Sequence, residues 1–249
     1  MRAWKVYEFG EPGEVLTLDE NAKSMEPGPD QVKIKVEVAG LGLPDVLMCH
    51  NNYPLVPPLP FTPSQEAVGR ILSVGPNVDS AMIGTRVLGP TLFQIQSGGL
   101  AQECLMMSPM AFPIPQEMDG EAAAGFFIPY QTAWIGLVHR ARLEAEDTVL
   151  VLGASGSSGS AAVQLAKARG ACVIAVAGGP DKAAFCERLG ADAVIDYRSQ
   201  NITEAARELT QGKGVSIVYD PVGGKAGRAG FKAIAFEGRF VVIGYASGE

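Results

Sequence analysis

The stretch Thr148-Val-Leu-Val-Leu-Gly-Ala-Ser-Gly-Ser-Ser-Gly-Ser-Ala-Ala-Val-Gln-Leu-Ala-Lys-Ala-Arg-Gly170 decides the fold of this chain. Val149 to Leu152 is a short apolar run, read as a strand buried on both faces. The chain then turns through Gly153, Gly156 and Gly159 and continues as a small-residue helix from near Ser157, with Gly170 as its cap. Ala154-x-Gly156-x-x-Gly159 has the spacing of a dinucleotide fingerprint, with Ala in the first position. Its glycines provide a tight exit from the strand, room for a pyrophosphate against bare backbone, and close helix–sheet packing. The cofactor contact is therefore expected over Ala154, Ser155, Gly156, Ser157, Ser158 and Gly159, where free N–H groups and the positive end of the helix dipole face an anion.

A glycine-rich turn alone fits any tight strand-to-helix exit, and the downstream context narrows it. Strand-like runs follow at Cys172–Ala177, Ala193–Asp196, Val215–Asp220 and Arg239–Tyr245. Helical candidates lie between them at Asp181–Leu189, Thr203–Gln211 and about Gly224–Phe236. Such alternation predicts βαβ units and a doubly wound parallel sheet, the α/β class.

Residues 1 to about 120 read differently. Val32–Val38, Ala67–Val74 and Arg86–Leu88 alternate in polarity and are punctuated by Pro and Gly, the pattern of an antiparallel, barrel-like β domain. From Glu121 the composition turns Ala-rich and helical, through Thr132-Ala-Trp134 to Arg142. Two domains are expected, 1–120 and 121–249. No repeat or low-complexity segment interrupts them.

A net charge of −7 argues against nucleic acid or an anionic membrane surface as the main partner. No apolar run is long enough to span a bilayer, and the start, Met1 to Tyr7, alternates like a strand rather than a signal peptide. Cys49, Cys104, Cys172 and Cys186 are scattered with no CxxC pair, as free thiols of a reducing, cytoplasmic setting would be.

Several motifs in order carry a family resemblance. Pro57-Pro-Leu-Pro-Phe61, Glu66-Ala-Val-Gly69, Val74-Gly75-Pro-Asn-Val78, Gly84-Thr-Arg-Val87 and Gly98-Gly-Leu-Ala-Gln-Glu103 resemble the GroES-like domain of medium-chain dehydrogenase/reductases, as does Tyr130-Gln-Thr-Ala-Trp134. Gly153-Ala-Ser-Gly156, Gly190-Ala-Asp-Ala-Val-Ile-Asp-Tyr197 and Tyr219-Asp-Pro-Val-Gly-Gly224 are similar to the zinc-independent quinone oxidoreductase, or zeta-crystallin-like, branch. The resemblance implies a GroES-like β-barrel followed by a Rossmann sheet. It also implies NADPH-dependent hydride transfer to a quinone or a similar enone or carbonyl acceptor. The same scaffold serves reduction of enoyl and acryloyl thioesters.

Zinc-dependent relatives place a Cys in Gly-x-Cys-x-x-Asp and a His in Gly-His-Glu. The matching segments here are Gly40-Leu-Gly42-Leu-Pro-Asp45 and Ser64-Gln65-Glu66, so Gly42 and Gln65 replace the ligands and no metal is expected. Asp45 and Glu66 then read as charged groups that pair or cap turns.

NAD-selective sheets end the second strand with an acid that binds the ribose 2′-hydroxyl. Here that strand ends Val176-Ala177-Gly178-Gly179, which leaves NADP(H) admissible. Lys182 and Tyr197 match positions that contact the 2′-phosphate in the resembled branch, and Asp181 reads as a helix N-cap. Candidate substrate-wall residues, by resemblance, are Gly42, Tyr53, Gln65, Tyr130 and Thr132, of which Tyr53, Gln65 and Thr132 are taken as catalytic. Gly244 joins the cofactor set at the end of the last strand. His50, His139 and Cys49 stand nearby in sequence with no evident activating partner.

The last strand-like run ends near Tyr245, one strand short of a full doubly wound unit. The expectation is a C-terminally truncated family member with an open apolar edge, for which a homo-oligomer through that edge is doubtful. A second expectation follows, that of a protein which binds NADPH with little turnover.

Overall fold

Alternating polarity in the first half folds as antiparallel strands. β1 (Ala3–Val6) and β2 (Leu16–Asp19) form a ribbon around the short helix α1 (Pro12–Val15). β3 (Gln31–Gly40), β4 (Glu66–Val74), β5 (Arg86–Pro90), β6 (Glu103–Met107) and β7 (Phe112–Pro113) make a five-stranded sheet in the order β6-β3-β4-β5-β7. Every neighbouring pair runs antiparallel. Val32 and Ile34 of β3 turn inward with Ile71, Val87, Cys104 and Met106. Helix α2 (Leu43–Cys49) follows β3, and α3 (Gly120–Ala124) closes the region.

The computed structural model describes residues 1–249 and divides into two units, Met1–Phe127 and Ile128–Glu249. Composition had placed the boundary at 120. The Ala-rich segment after Asp119 packs with the first unit instead, because Ala123 and Ala124 bury against Val68 and Leu88 of β4 and β5.

α4 (Phe127–Ala133) runs into a π-helical stretch, Trp134–Arg140, that leads into the second sheet. That sheet comprises β8 (Thr148–Val151), β9 (Cys172–Ala177), β10 (Ala193–Asp196), β11 (Val215–Asp220) and β12 (Ile234–Val242). They pair in parallel in the order β10-β9-β8-β11-β12, so the winding reverses between β8 and β11. Helices α5 (Ser157–Ala168), α6 (Pro180–Arg188), α7 (Ile202–Leu209) and α8 (Gly224–Ala233) connect the strands. Val149 and Val151 bury on one face with Ala161, Ala162 and Leu137. Leu150 and Leu152 bury on the other with Ile202, Ala206 and Ala233. Burial on both faces is why β8 reads as an unbroken apolar run. No helix is long and apolar enough to cross a membrane.

Three local expectations change. Asp181 is not the N-cap of α6: Gly179 takes that place and Pro180 opens the helix, as its fixed φ favours. Asp181 sits in the first turn, where a carboxylate suits the helix dipole. α8 ends at Ala233 rather than Phe236, because Ile234 is drawn into the sheet opposite Val215. β12 therefore begins earlier than Arg239 and carries an irregularity before it, where Phe236 is 94% exposed and Glu237 has φ 60°. β12 also ends at Val242, short of Tyr245, since the N–H groups of Ile243 and Gly244 both turn to Asp220 O.

Candidate functional site

Because every strand of the second sheet runs the same way, the turns after β8, β9, β10, β11 and β12 gather at one carboxyl edge. After β8, Gly153 has φ 57° and Ala154 is buried, with its N–H donated to Val176 O at 3.0 Å. A Cβ at Gly159 would lie 2.3 Å from Gly153 O and 2.8 Å from Ala154 Cα. Only glycine lets α5 approach the loop so closely. Gly156 is the N-cap of α5 and no side chain caps it. The first-turn amides of Ser157, Ser158 and Gly159 therefore remain the helix's unsatisfied donors, beside an exposed glycine. This backbone suits a diphosphate: donors, a positive helix end and no Cβ in the way.

One side chain that steadies this loop escaped sequence reasoning. Tyr219, at the end of β11, is fully buried, and its hydroxyl lies 2.5 Å from Ser158 Oγ. Burial pushes the Tyr219 phenol up to about 12, with the Ser158 bond pulling the other way, so it stays protonated at neutral pH. The next residue, Asp220, is also buried and accepts from the N–H groups of Val222 and Gly223, both at 2.8 Å. That carboxylate shapes the turn on the far side of the switch point. A tyrosine in a strand covered on both faces was the available signal, since its hydroxyl needs a partner.

At the β9 tip the structure adds an acid that the second strand lacks. Asp196, ending β10, accepts from Gly179 N at 3.1 Å and from Arg198 N at 3.0 Å. These two backbone donors hold its carboxyl below the usual carboxylate range. The reading of a tip without an anion thus holds for the second strand alone. Tyr197 lies just beyond β10, and a Cβ at Gly178 would fall 2.7 Å from its ring and hydroxyl. Lys182 is exposed on the first turn of α6. Gly244 follows β12, against the backbone of Pro221. The second unit therefore brings the fingerprint loop, Lys182, Tyr197 and Gly244 to one edge of one sheet.

Thr132 also belongs to the second unit, on α4, where its hydroxyl donates to Ile128 O at 2.7 Å. Tyr130 packs against the core beneath β8. His139 accepts from Trp134 Nε1 at 3.0 Å on an exposed face.

The remaining candidates lie in the first unit. Gly42 is the N-cap of α2, and Asp45 accepts from Gly42 N at 2.8 Å and from Ser64 N at 2.7 Å. Both oxygens of Asp45 thus serve backbone, and burial raises its pKa. Tyr53 packs, partly buried, at the margin of a core cluster of Val6, Met48, Cys49 and Phe61. Cys49 is buried, and burial together with Asp45 raises its thiol pKa, so its location does not make it reactive. His50 pairs with Glu11 at 3.3 Å. Gln65 is the exception, because it is only 8% exposed and its Nε2 has no hydrogen-bond partner. Such an atom is costly to bury unless something is brought to it.

These residues do not suit zinc. Gly42 has no donor, Gln65 presents neither thiolate nor imidazole, and Asp45 is already committed to backbone.

Comparison with known proteins agrees with this architecture. Residues 28–139 match the alcohol dehydrogenase GroES-like domain, and residues 159–249 match the domain described as zinc-binding dehydrogenase. A quinone oxidoreductase-like protein 2 homolog of Nematostella vectensis is 36% identical over 249 residues, covering 100% of this chain and 67% of that protein. A mycobacterial protein solved with NADPH is 31% identical with a TM-score of 0.89, covering 99% of this chain and 75% of that one. Escherichia coli quinone oxidoreductase, also solved with NADPH, is 28% identical with a TM-score of 0.89, over 99% of this chain and 74% of that one. The chain belongs to the quinone oxidoreductase family of medium-chain dehydrogenase/reductases, with a GroES-like unit and a Rossmann unit. It spans about two thirds of the length of the curated relatives it matches.

Proposed function

We propose that this chain is an NADPH-dependent, zinc-independent oxidoreductase that transfers hydride to a quinone or a similar enone or carbonyl acceptor. The observation that carries the reading is the turn after β8, where Gly156 and Gly159 leave backbone amides open at the start of a twelve-residue helix. The dinucleotide would supply the hydride, and a quinone accepts it without strong acid catalysis. The chain's own part is binding, orientation and a hydrogen bond to the acceptor. Within Ala154 to Gly159, the amides of Ser157, Ser158 and Gly159 would hold the diphosphate, those of Ala154 and Gly156 being donated to Val176 O and Gly153 O, with Ser158 steadied by Tyr219. Lys182 and Tyr197 would meet the 2′-phosphate, while Gly244 would leave space at the neighbouring turn. Gln65 Nε2, buried without a partner, would donate to the acceptor's carbonyl oxygen on rotation of its side chain toward it, which would satisfy that amide nitrogen. Thr132 retains acceptor capacity after donating to Ile128 O. Tyr53, partly buried against Met48, Cys49 and Phe61, would present its remaining surface to the acceptor. Zinc-independence is supported by Gly42 and Gln65 at the positions where a ligand would be required.

The test is titration of the purified chain with NADPH and NADH, then NADPH oxidation with a small quinone and with crotonyl- and acryloyl-thioesters. Quinone turnover with a preference for NADPH is expected. Lys182→Ala should lower that preference roughly 10- to 150-fold, the worth of a charge-assisted contact of about 1.5–3 kcal/mol. Turnover of thioesters alone would move the substrate class, and tight NADPH binding without oxidation would leave a binding protein.

A further inference from the structure

We infer that Arg198 is a specificity-determining residue for the phosphorylated dinucleotide, acting as the second cation beside Lys182 and as the counter-charge to Asp196. This rests on the dinucleotide reading above and names a contact that sequence reasoning did not. The starting observation is Gly179, the N-cap of α6. A Cβ there would lie 3.0 Å from Arg198 Nη1 and 3.6 Å from its Cζ. The guanidinium therefore lies over the tip of β9, next to the Tyr197 ring that covers Gly178. Together the two side chains bury a diglycine turn that is otherwise bare, since Gly178 and Gly179 are both buried while Tyr197 and Arg198 are exposed.

A structural arginine normally spends its donors on carboxylates or carbonyls. Arg198 does not: its backbone N–H donates to Asp196, and its guanidinium charge acts on that same carboxylate without a hydrogen bond from any of its own N–H groups. A planar fork of free donors, held over a glycine turn where α6 begins, matches a phosphate bidentately. The charge it acts on is that of Asp196 at the end of β10, while Asp181 and Lys182 stand on the first turn of α6, the helix that Gly179 opens. Asp196 reaches the second strand's tip from the third, and its carboxylate would oppose a 2′-phosphate unless a cation stood beside it. Arg198 is that cation. The tip thus carries an acid whose effect on cofactor choice is cancelled two residues later in the chain.

Dissociation constants for NADPH, NADH, 2′,5′-ADP and 5′-AMP, measured on wild type, Arg198→Ala, Arg198→Lys and the double variant Asp196→Asn/Arg198→Ala, test this. Arg198→Ala should weaken NADPH and 2′,5′-ADP by roughly 10- to 100-fold and leave NADH and 5′-AMP within about twofold. Arg198→Lys should keep part of the preference, and removing Asp196 in the double variant should restore part of the NADPH affinity. Equal loss for phosphorylated and unphosphorylated ligands, or an unchanged ratio in Arg198→Ala, overturns the inference while the dinucleotide reading stands. Failure of the folded wild type to bind any of the four ligands removes that reading and this inference together.

Discussion

Two glycine turns sit side by side at the carboxyl edge of the parallel sheet, and they use glycine for opposite reasons. After β8, the space that a Cβ at Gly159 would need is filled by backbone, Gly153 O and Ala154 Cα. After β9, the space beyond Gly178 is filled by the Tyr197 side chain, while Arg198 lies over Gly179, which its own φ of 88° also requires to be glycine. Backbone cannot step aside without unmaking the strand-to-helix turn, whereas an exposed side chain can rotate away. The first turn is therefore a rigid cradle, and the second is an adjustable cover. The difference separates where a dinucleotide binds from which dinucleotide is preferred.

The strongest way to break the comparison is Gly159→Ala. Forcing a methyl against Gly153 O should cost about 2–3 kcal/mol, the upper range for overpacking, and lower the melting temperature by roughly 4–12 °C. Dinucleotide binding should be lost with it. A variant of wild-type stability that still binds NADPH would mean the cradle is not rigid. Gly178→Ala sharpens the contrast. Its methyl meets only the far end of a tyrosine that is 52% exposed, so stability should change by no more than about 0.5 kcal/mol. Its signature is a severalfold loss of NADPH affinity with NADH little changed, read by titration. A large fall in melting temperature here would show that the cover is structural.

The smallest effect concerns Asp196. Backbone N–H groups of Arg198 and Gly179 hold its folded pKa below the usual carboxylate range. The sign follows: its contribution is present above the unfolded pKa and fades as pH falls through the lower folded value. The stability difference between wild type and Asp196→Asn should therefore be constant from neutral pH down to about pH 5 and shrink in stronger acid. Chemical denaturation across that range reads it, and a difference that grows on acidification would contradict the assignment.

The second unit was legible in the sequence to a degree that the first was not. β9, β10 and β11 begin and end where their apolar runs do. β9 and β11 are buried on both faces, which leaves an unbroken signal, and Gly178 and Pro221 mark their ends, whereas β10 is a short edge run closed by Asp196. The cradle was legible for the same reason, since strand, glycine spacing and helix are contiguous. β12 was not, because Ile234 is held by its partner Val215 rather than by its own neighbours, and an exposed Phe236 interrupts the pattern. α3 reads as part of a helical second half by composition, yet Ala123 and Ala124 bury against β-strands of the first unit.

The residues at the carboxyl edge divide in the same way. From the sequence alone came the nucleotide-binding class, the fingerprint loop, the absence of zinc ligands at Gly42 and Gln65, and the candidates Lys182 and Tyr197. Tertiary structure decided that Tyr219 reaches Ser158 across 61 residues, that Gln65 is buried with an unpaired amide, and that Asp196 and Arg198 stand over Gly179. Parallel register accounts for the last of these: Asp196 pairs with Ala177, which carries the residues after β10 onto the tip of β9. Contacts within one strand–turn–helix are written in the spacing of the chain. Contacts between neighbouring parallel strands depend on a crossover and a register that no local pattern encodes.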